Sequence, residues 1–271
     1  MKNVLIFNDI SGLGNCSMSA NLPIFSVTGN YCMPVPTACF SKQTGFEGFG
    51  VLDNSAVERF YNDISVCRAP DAVYVGFCNK TETLRAVCRV LSRTSGAFVV
   101  VDPIMGDNGK LYPVFGQAYA EQMKIAVKYA DCITPNVTEA CLLCDLDYTA
   151  FSSFGTPAFA RDCKTTFADF LQKVGVKCAV ITGIDCGTAI ANLVLTQQGT
   201  AVVTNEKVPT TFSGTGDVFS SVLTAMMLQG KSAEEATQIA ADFVMDAAKA
   251  TECSDRRFGI EFGRVLSRLI K

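Results

Sequence analysis

Ser213-Gly214-Thr215-Gly216-Asp217-Val218-Phe219 is the stretch around which the rest of this chain can be read. Before it, Val208-Pro209-Thr210-Thr211 favours extended backbone, because proline resists helix and threonine suits strand. After it, Val218, Phe219, Val222, Leu223, Ala225 and Met226 recur at helical spacing. Two glycines and a threonine therefore fall in a helix's first turn, where backbone N–H groups lack intrahelical partners. With the positive end of the helix dipole, those donors suit phosphate oxygens. Asp217 comes next, a carboxylate beside a phosphate cradle. That pairing suggests phosphoryl transfer to a hydroxyl, with Asp217 accepting the hydroxyl proton and Gly214, Thr215 and Gly216 holding the phosphate. A capped helix with a plain glycine turn has the same letters, so the other loops must decide.

The bulk composition narrows the chemistry. At 271 residues the chain suits one α/β domain, and with 49% apolar residues and 18% charged ones it can bury a sizeable core. A net charge of −3 speaks against a nucleic-acid or anionic-membrane surface and for a small-molecule partner. The opening apolar run, Val4-Leu5-Ile6-Phe7, is too short for a signal peptide or a membrane span and reads as the first buried strand of a cytosolic protein. The 13 cysteines are scattered instead of spaced as a framework, which predicts reduced core residues. Cys141 and Cys144 form one C-x-x-C with no second pair at zinc-finger spacing. There is no histidine, so Ser-His and Cys-His pairs, imidazole bases and histidine metal ligands are all excluded.

Taken in order, the chain alternates strand and helix. Strand Val4–Phe7 is expected to run into a turn, Asn8-Asp9-Ile10-Ser11-Gly12-Leu13-Gly14-Asn15, and then a helix that Pro23 should kink or end. Asp9 and Ser11 either hold a polar substrate at this strand end or satisfy the turn's own backbone. Tyr31–Phe40 reads as extended, and Ser41–Gly50 as a mobile loop. Strands Ala72–Phe77 and Phe98–Val101, with helices Ser55–Ser65 and Thr81–Arg93, make the βαβ pattern of a parallel sheet.

The strand ending at Val101 delivers Asp102-Pro103-Ile104-Met105-Gly106-Asp107-Asn108-Gly109-Lys110. Magnesium takes few protein carboxylates and fills its other sites with water and phosphate, so Asp102 or Asp107 suits a metal-nucleotide site, as well as ordinary turn chemistry. A helix around Gln117–Tyr129 and a short strand, Cys132-Ile133, lead to Thr134-Pro135-Asn136-Val137-Thr138-Glu139. There Asn136 and Glu139 share a helical face, either toward a metal-bound phosphate or as an N-terminal cap. Helix Ala158–Val174, a strand from Cys178 to Thr182-Gly183, a hairpin around Gln197-Gln198-Gly199 and a helix capped by Ser232 and Glu235 complete the pattern.

With these pieces assembled, the chain resembles the pyridoxal/pyridoxamine (vitamin B6) kinases of the ribokinase superfamily from about Val4 to Glu261. The likeness rests on Asn8–Gly14, Ser41-Lys42-Gln43-Thr44-Gly45, Asp102–Asp107, Thr134–Glu139 and Ser213–Asp217, in that order and spacing. It implies an α/β fold with a central, mostly parallel sheet flanked by helices and a minimal lid, usually in a cytoplasmic homodimer. It assigns Asp217 as the base toward the vitamer's 5′-hydroxymethyl group, and Gly214, Thr215 and Gly216 as the hole for the transferring phosphate of ATP. Asp102 and Glu139 would act with Mg²⁺, while Thr134, Asn136 and Thr182 lie along the ATP phosphates, and Asp9 and Thr44 meet the pyridine. Lys42-Gln43 stands where the family commonly has Asn-His, so any ring contact of that histidine is missing. Hydroxymethylpyrimidine kinases are similar but often carry Cys at the place of Asp217. They, or another small-alcohol kinase, are the alternative, and a non-catalytic sensor on the same fold is the third reading.

Overall fold

A computed structural model describes residues 1–150, 165, 167 and 169–270. In chain order its main elements are β1 (Asn3–Ser11), α1 (Met18–Val27), β2 (Tyr31–Phe40), β3 (Val51–Asp53), α2 (Val57–Ser65), β4 (Ala72–Val75), α3 (Thr81–Leu91) and β5 (Phe98–Val101). A small hairpin follows, β6 (Gly106–Asp107) with β7 (Lys110–Leu111), then α4 (Gln117–Ala126), β8 (Cys132–Ile133) and α5 (Val137–Cys144). After α6 (Phe170–Val174) come β9 (Cys178–Asp185), β10 (Ala189–Thr196), β11 (Gly199–Glu206), α7 (Thr215–Leu228) and α8 (Ala233–Ala250). The expected helix Ala158–Val174 lies mostly outside the described residues.

Among the described residues nine strands form the central sheet, in the order β11-β10-β9-β8-β5-β4-β1-β2-β3. The six strands from β9 to β2 pair in parallel, while β10, β11 and β3 add antiparallel edges. The mostly parallel central sheet is therefore as the resemblance implied.

The apolar run of β1 is continuous because helices cover both faces of the sheet. Val4 and Ile6 pack with Phe25 of α1, Val218 of α7 and Phe243 of α8. Leu5 and Phe7 face the other way, toward Leu84 of α3, Met123 of α4 and Ala140 of α5. All four β1 side chains are fully buried, each worth about 1.5–3 kcal/mol relative to exposure.

Strand order reverses beside β1, with β2 on one side and β4 on the other. In an open parallel sheet the crevice at such a reversal, outside the strands' carboxyl ends, is where ligands bind. The ends of β1, β4, β5 and β8 accordingly deliver Asn8–Ser11, Gly76, Asp102 and Thr134 to one region.

Three expectations need correction. β1 does not stop at Phe7 but runs to Ser11, so Asn8–Ser11 is strand and not turn. Its pairing shifts there: Asn8 to Ile10 on β1 lies against Pro36 to Cys39 on β2, an irregularity of the kind that re-aims side chains near active sites. α1 continues through Pro23 to Val27, because Ile24 and Phe25 beyond the proline are fully buried and their packing outweighs its lost hydrogen bond. β9 continues past Thr182-Gly183 to Asp185, with a second register shift at that point opposite Ala191–Leu193.

Candidate active site

A cleft of about 640 Å³ opens at the carboxyl ends of the strands and reaches the first turn of α7. Gly214 is the residue before that turn, with φ of 80°, a left-handed conformation that glycine adopts without strain. A Cβ here would also lie 2.3 Å from the Asn15 carbonyl oxygen, so only glycine fits. No side chain caps α7, and Thr215, Gly216 and Asp217 line the cleft with first-turn N–H groups that have no helical partner. The Thr215 hydroxyl turns back to donate to the Phe212 carbonyl at 3.3 Å.

Asp217 is buried, and its two carboxylate oxygens are separately held. Asn8 Nδ2 donates to Oδ1 at 3.1 Å, and the Ser17 backbone N–H donates to Oδ2 at 2.9 Å. Burial raises the Asp217 pKa above the usual carboxylate range, and those two hydrogen bonds oppose the rise. Asp9 is also buried, its Oδ2 accepting from the Ser11 hydroxyl at 3.0 Å. Its pKa is pushed up to about 6, first by burial and further by the negative charge of Asp217, against the pull of hydroxyl hydrogen bonds.

Asp102 lines the same cleft as Asp217 and is buried, with the Ser220 hydroxyl donating to Oδ2 at 3.1 Å. Thr134 joins it through a 2.9 Å contact with that same hydroxyl. Burial and the Asp217 charge raise the Asp102 pKa, and burial with the Asp102 charge raises that of Glu139. Glu139 is doubly held by backbone: Met105 N–H donates to Oε1 at 3.1 Å and Asn136 N–H to Oε2 at 2.8 Å. The Asn136 side chain accepts from the Glu139 N–H in return, so the capping box is present. Asn136 also ties the β6 strand by donating to the Gly106 carbonyl at 2.8 Å. Thr182 and Asp107 line the same cleft, Asp107 from an exposed position.

Asp102 and Glu139 fit a magnesium ion. They are oxygen donors lining one cleft and both are buried; burial chiefly raises their pKa values, with the Asp217 charge adding to the rise at Asp102 and the Asp102 charge to that at Glu139. Among the described residues no three Cys, Asp or Glu side chains converge on a metal position. Two carboxylates, water and phosphate suffice for magnesium, whereas a structural zinc at Cys141 and Cys144 would need more ligands.

Thr44, like Asp9 and Ser11, is not among the residues lining this cleft. It is exposed in the loop after β2 and lines a separate hollow of about 260 Å³ with Phe40, Phe49 and Phe77. The sequence reading does not single out the residues that orient Asp217 and Asp102: Asn8 falls in an expected turn, and Ser17 and Ser220 carry no motif. A signal existed for Ser220, since Ser220, Ser221 and Thr224 interrupt an apolar helix and all three are buried.

The family model for phosphomethylpyrimidine kinase matches residues 13–260. The chain belongs to that family. A pyridoxine/pyridoxal/pyridoxamine kinase of Bordetella avium is 27% identical over 256 residues, 89% of this chain and 83% of the relative. A hydroxymethylpyrimidine/phosphomethylpyrimidine kinase of Bacillus subtilis is 25% identical over 254 residues, 92% of this chain and 90% of the relative. A crystal structure with pyridoxal, of a Bacteroides thetaiotaomicron protein assigned as a phosphomethylpyrimidine kinase, superposes with a TM-score of 0.89 at 29% identity. It covers 99% of this chain and 95% of that one. The chain is thus a kinase of the pyridoxal or hydroxymethylpyrimidine type on the ribokinase-like fold, as its five motifs implied. Among the described residues no helix is long and apolar enough to cross a membrane.

Proposed function

We propose that this kinase transfers the γ-phosphate of ATP to the 5′-hydroxymethyl group of a B6 vitamer. The observation that carries the reading is the Asp217 carboxylate, fixed by Asn8 and Ser17 at the mouth of an uncapped helix N-terminus. A hydroxyl brought to Asp217 has its proton acceptor on one side and the Gly214–Gly216 turn on the other. Phosphoryl transfer has a loose transition state, so positioning and charge stabilisation dominate the rate and a modest base suffices. Here burial raises the basicity of Asp217 above that of a solvent carboxylate.

Asp102 and Glu139 would hold Mg²⁺, directly or through water, with Glu139 oriented by the backbone N–H groups of Met105 and Asn136. The ion would neutralise phosphate charge next to these carboxylates. Thr134, Asn136, Thr182 and Asp107 would lie along the nucleotide, Asp9 and Ser11 would meet the polar edge of the acceptor ring, and Thr44 would reach it from the lid loop.

Two features favour a pyridine over a pyrimidine acceptor: an aspartate where hydroxymethylpyrimidine kinases often have cysteine, and pyridoxal in the Bacteroides relative's crystal. The family model and the Bacillus relative support hydroxymethylpyrimidine as the second reading. A sensor without activity is disfavoured by the retention of Asp217, Asp102 and Glu139. ATP-dependent phosphorylation of pyridoxal, pyridoxine, pyridoxamine and hydroxymethylpyrimidine, compared side by side, tests the proposal. A kcat/KM highest for hydroxymethylpyrimidine would replace it. The reading also carries a cytoplasmic homodimer, which sedimentation of the purified protein would check as to mass.

A further inference from the structure

Three consecutive carbonyls of the short 3₁₀ turn Arg256–Phe258 each hold a different loop of the site. The Arg256 carbonyl accepts from Ser213 N–H at 3.1 Å, immediately before the anion-binding turn. The Phe258 carbonyl accepts from Asn15 N–H at 2.9 Å, in the loop leading to Ser17 and so to Asp217. Between them, the Arg257 carbonyl accepts from the side-chain Nε2 of Gln43 at 2.9 Å. Gln43 belongs to the loop after β2, and its Oε1 accepts from Gly45 N–H at 2.8 Å.

The loop is wrapped around this amide. Gln43 is 8% exposed, its own N–H donates to the Leu13 carbonyl at 2.9 Å, and a Cβ at position 45 would lie 2.7 Å from Nε2. Ring contacts reinforce the join: Phe46 meets Phe258 edge-on at 5.3 Å, and the Arg257 guanidinium sits 4.7 Å over Phe46. A loop with polar, glycine-rich composition is thus fastened to the same turn that fastens the phosphate loop. The Gln43 amide is the side-chain hydrogen bond in that join, beside the two ring contacts.

We propose that Gln43 is a positioning residue which, through the Arg257 carbonyl, couples the loop 41–50 to the phosphate-binding turn at Gly214–Gly216. The inference rests on the kinase reading above, but not on which acceptor is used. Occupying the phosphate site then stiffens the acceptor-side loop, because Ser213 and Gln43 hang on neighbouring carbonyls of one turn. Two sites that share a structural element in this way are coupled reciprocally.

The test is hydrogen exchange at the Phe46 amide, which bonds to the Gln43 backbone carbonyl at 3.1 Å and keeps that bond in side-chain variants. It is read in the wild type and in Gln43→Met, each with and without Mg²⁺ and a non-hydrolysable ATP analogue. Methionine keeps the length of glutamine but neither donates nor accepts usefully. The analogue should slow exchange at least about five-fold in the wild type and hardly at all in Gln43→Met, with analogue affinity unchanged. In turnover, Gln43→Met should raise acceptor KM about ten-fold, and saturating acceptor should no longer lower the KM for ATP as it does in the wild type, a loss that general loosening would not give. Phe258→Ala, at a residue 39% exposed, removes the ring contact and should lower the same exchange ratio, so a misfolded Gln43→Met still leaves a test. Equal slowing in the wild type and the variants overturns the coupling, as does none in a wild type that binds the analogue. Protection lost in the variants, in a protein that phosphorylates none of the four acceptors, would keep the coupling and discard the acceptor reading.

Discussion

Asn8 Nδ2 donates to Asp217 Oδ1 at 3.1 Å while Asn8 Oδ1 accepts the backbone N–H groups of Asp9 at 3.0 Å and Phe77 at 2.9 Å. One fully buried amide thus joins the end of β1, the residues after β4 and the proposed base on α7. Its Nδ2 also donates to Asn21 Oδ1 at 2.8 Å, and Asn21 Nδ2 in turn donates to the Ser221 hydroxyl at 2.8 Å.

Asn8→Ala should therefore lower kcat by about ten- to a hundred-fold, because Asp217 loses one of two groups that aim it. Stability should fall by about 1–3 kcal/mol, since two buried N–H groups lose their acceptor. ATP affinity should stay near wild type. Steady-state kinetics with thermal melts checks this, and an unchanged kcat would show that Ser17 alone orients the base.

Asp9 sets a pH dependence. Its pKa rises from an ordinary value of 3.8 to about 6 in the folded protein, chiefly by burial. The folded state then holds a proton that the unfolded chain has released, so stability falls as pH rises from about 4 to about 6. The slope for one such proton is about 1.4 kcal/mol per pH unit, and Asp102 shifts in the same direction. The nucleotide-free protein should melt higher at pH 5 than at pH 7, and Asp9→Asn should flatten the difference. Melts across that range, with an Asp9→Asn slope equal to wild type, would assign the effect elsewhere.

Much of this site could be read in advance because each motif sits where a strand's carboxyl end must deliver it. Gly214–Asp217, Asp102, Thr134 and Asn136 reached one cleft because parallel order alone brings those ends together. What stayed hidden depends on register and on partners distant in sequence. Asn8–Ser11 looked like a turn by composition, yet the β2 ladder holds it as strand. Ser17, Ser220 and Gln43 gain their roles only from atoms 118 to 214 residues away, which local periodicity does not report. Pro23 was overruled by packing, the commonest way tertiary structure defeats propensity.

Glu139 has both a capping and a proposed metal role, and substitution should separate them. Glu139→Ala removes the acceptor for Met105 and Asn136 N–H and should cost about 1–3 kcal/mol of stability. Well below its melting point, the variant should still need more Mg²⁺ for half-maximal rate. An unchanged magnesium requirement would leave Glu139 with its capping role alone.

The cysteines should be inert toward metal. Twelve described cysteines are free thiols, and burial pushes those of Cys16 and Cys141 up to about 12, away from the thiolate that metals bind. Treatment with a chelator should leave the melting temperature unchanged. Stoichiometric zinc in the purified protein, with unfolding on chelation, would contradict this.

The measurement that bears most directly on the account is kcat for Asp217→Asn on the best acceptor, with ATP binding followed by calorimetry. Asparagine keeps the size of the side chain and can still accept from Asn8 or Ser17, but it cannot take the acceptor's proton. General-base loss should lower kcat by roughly 10²–10⁴-fold, while ATP affinity holds or tightens slightly as a negative charge leaves the phosphate site. Thr215→Ala should cost much less, because that hydroxyl is spent on the Phe212 carbonyl and the backbone N–H remains. An Asp217→Asn enzyme that turns over within a few-fold of wild type would contradict the mechanism.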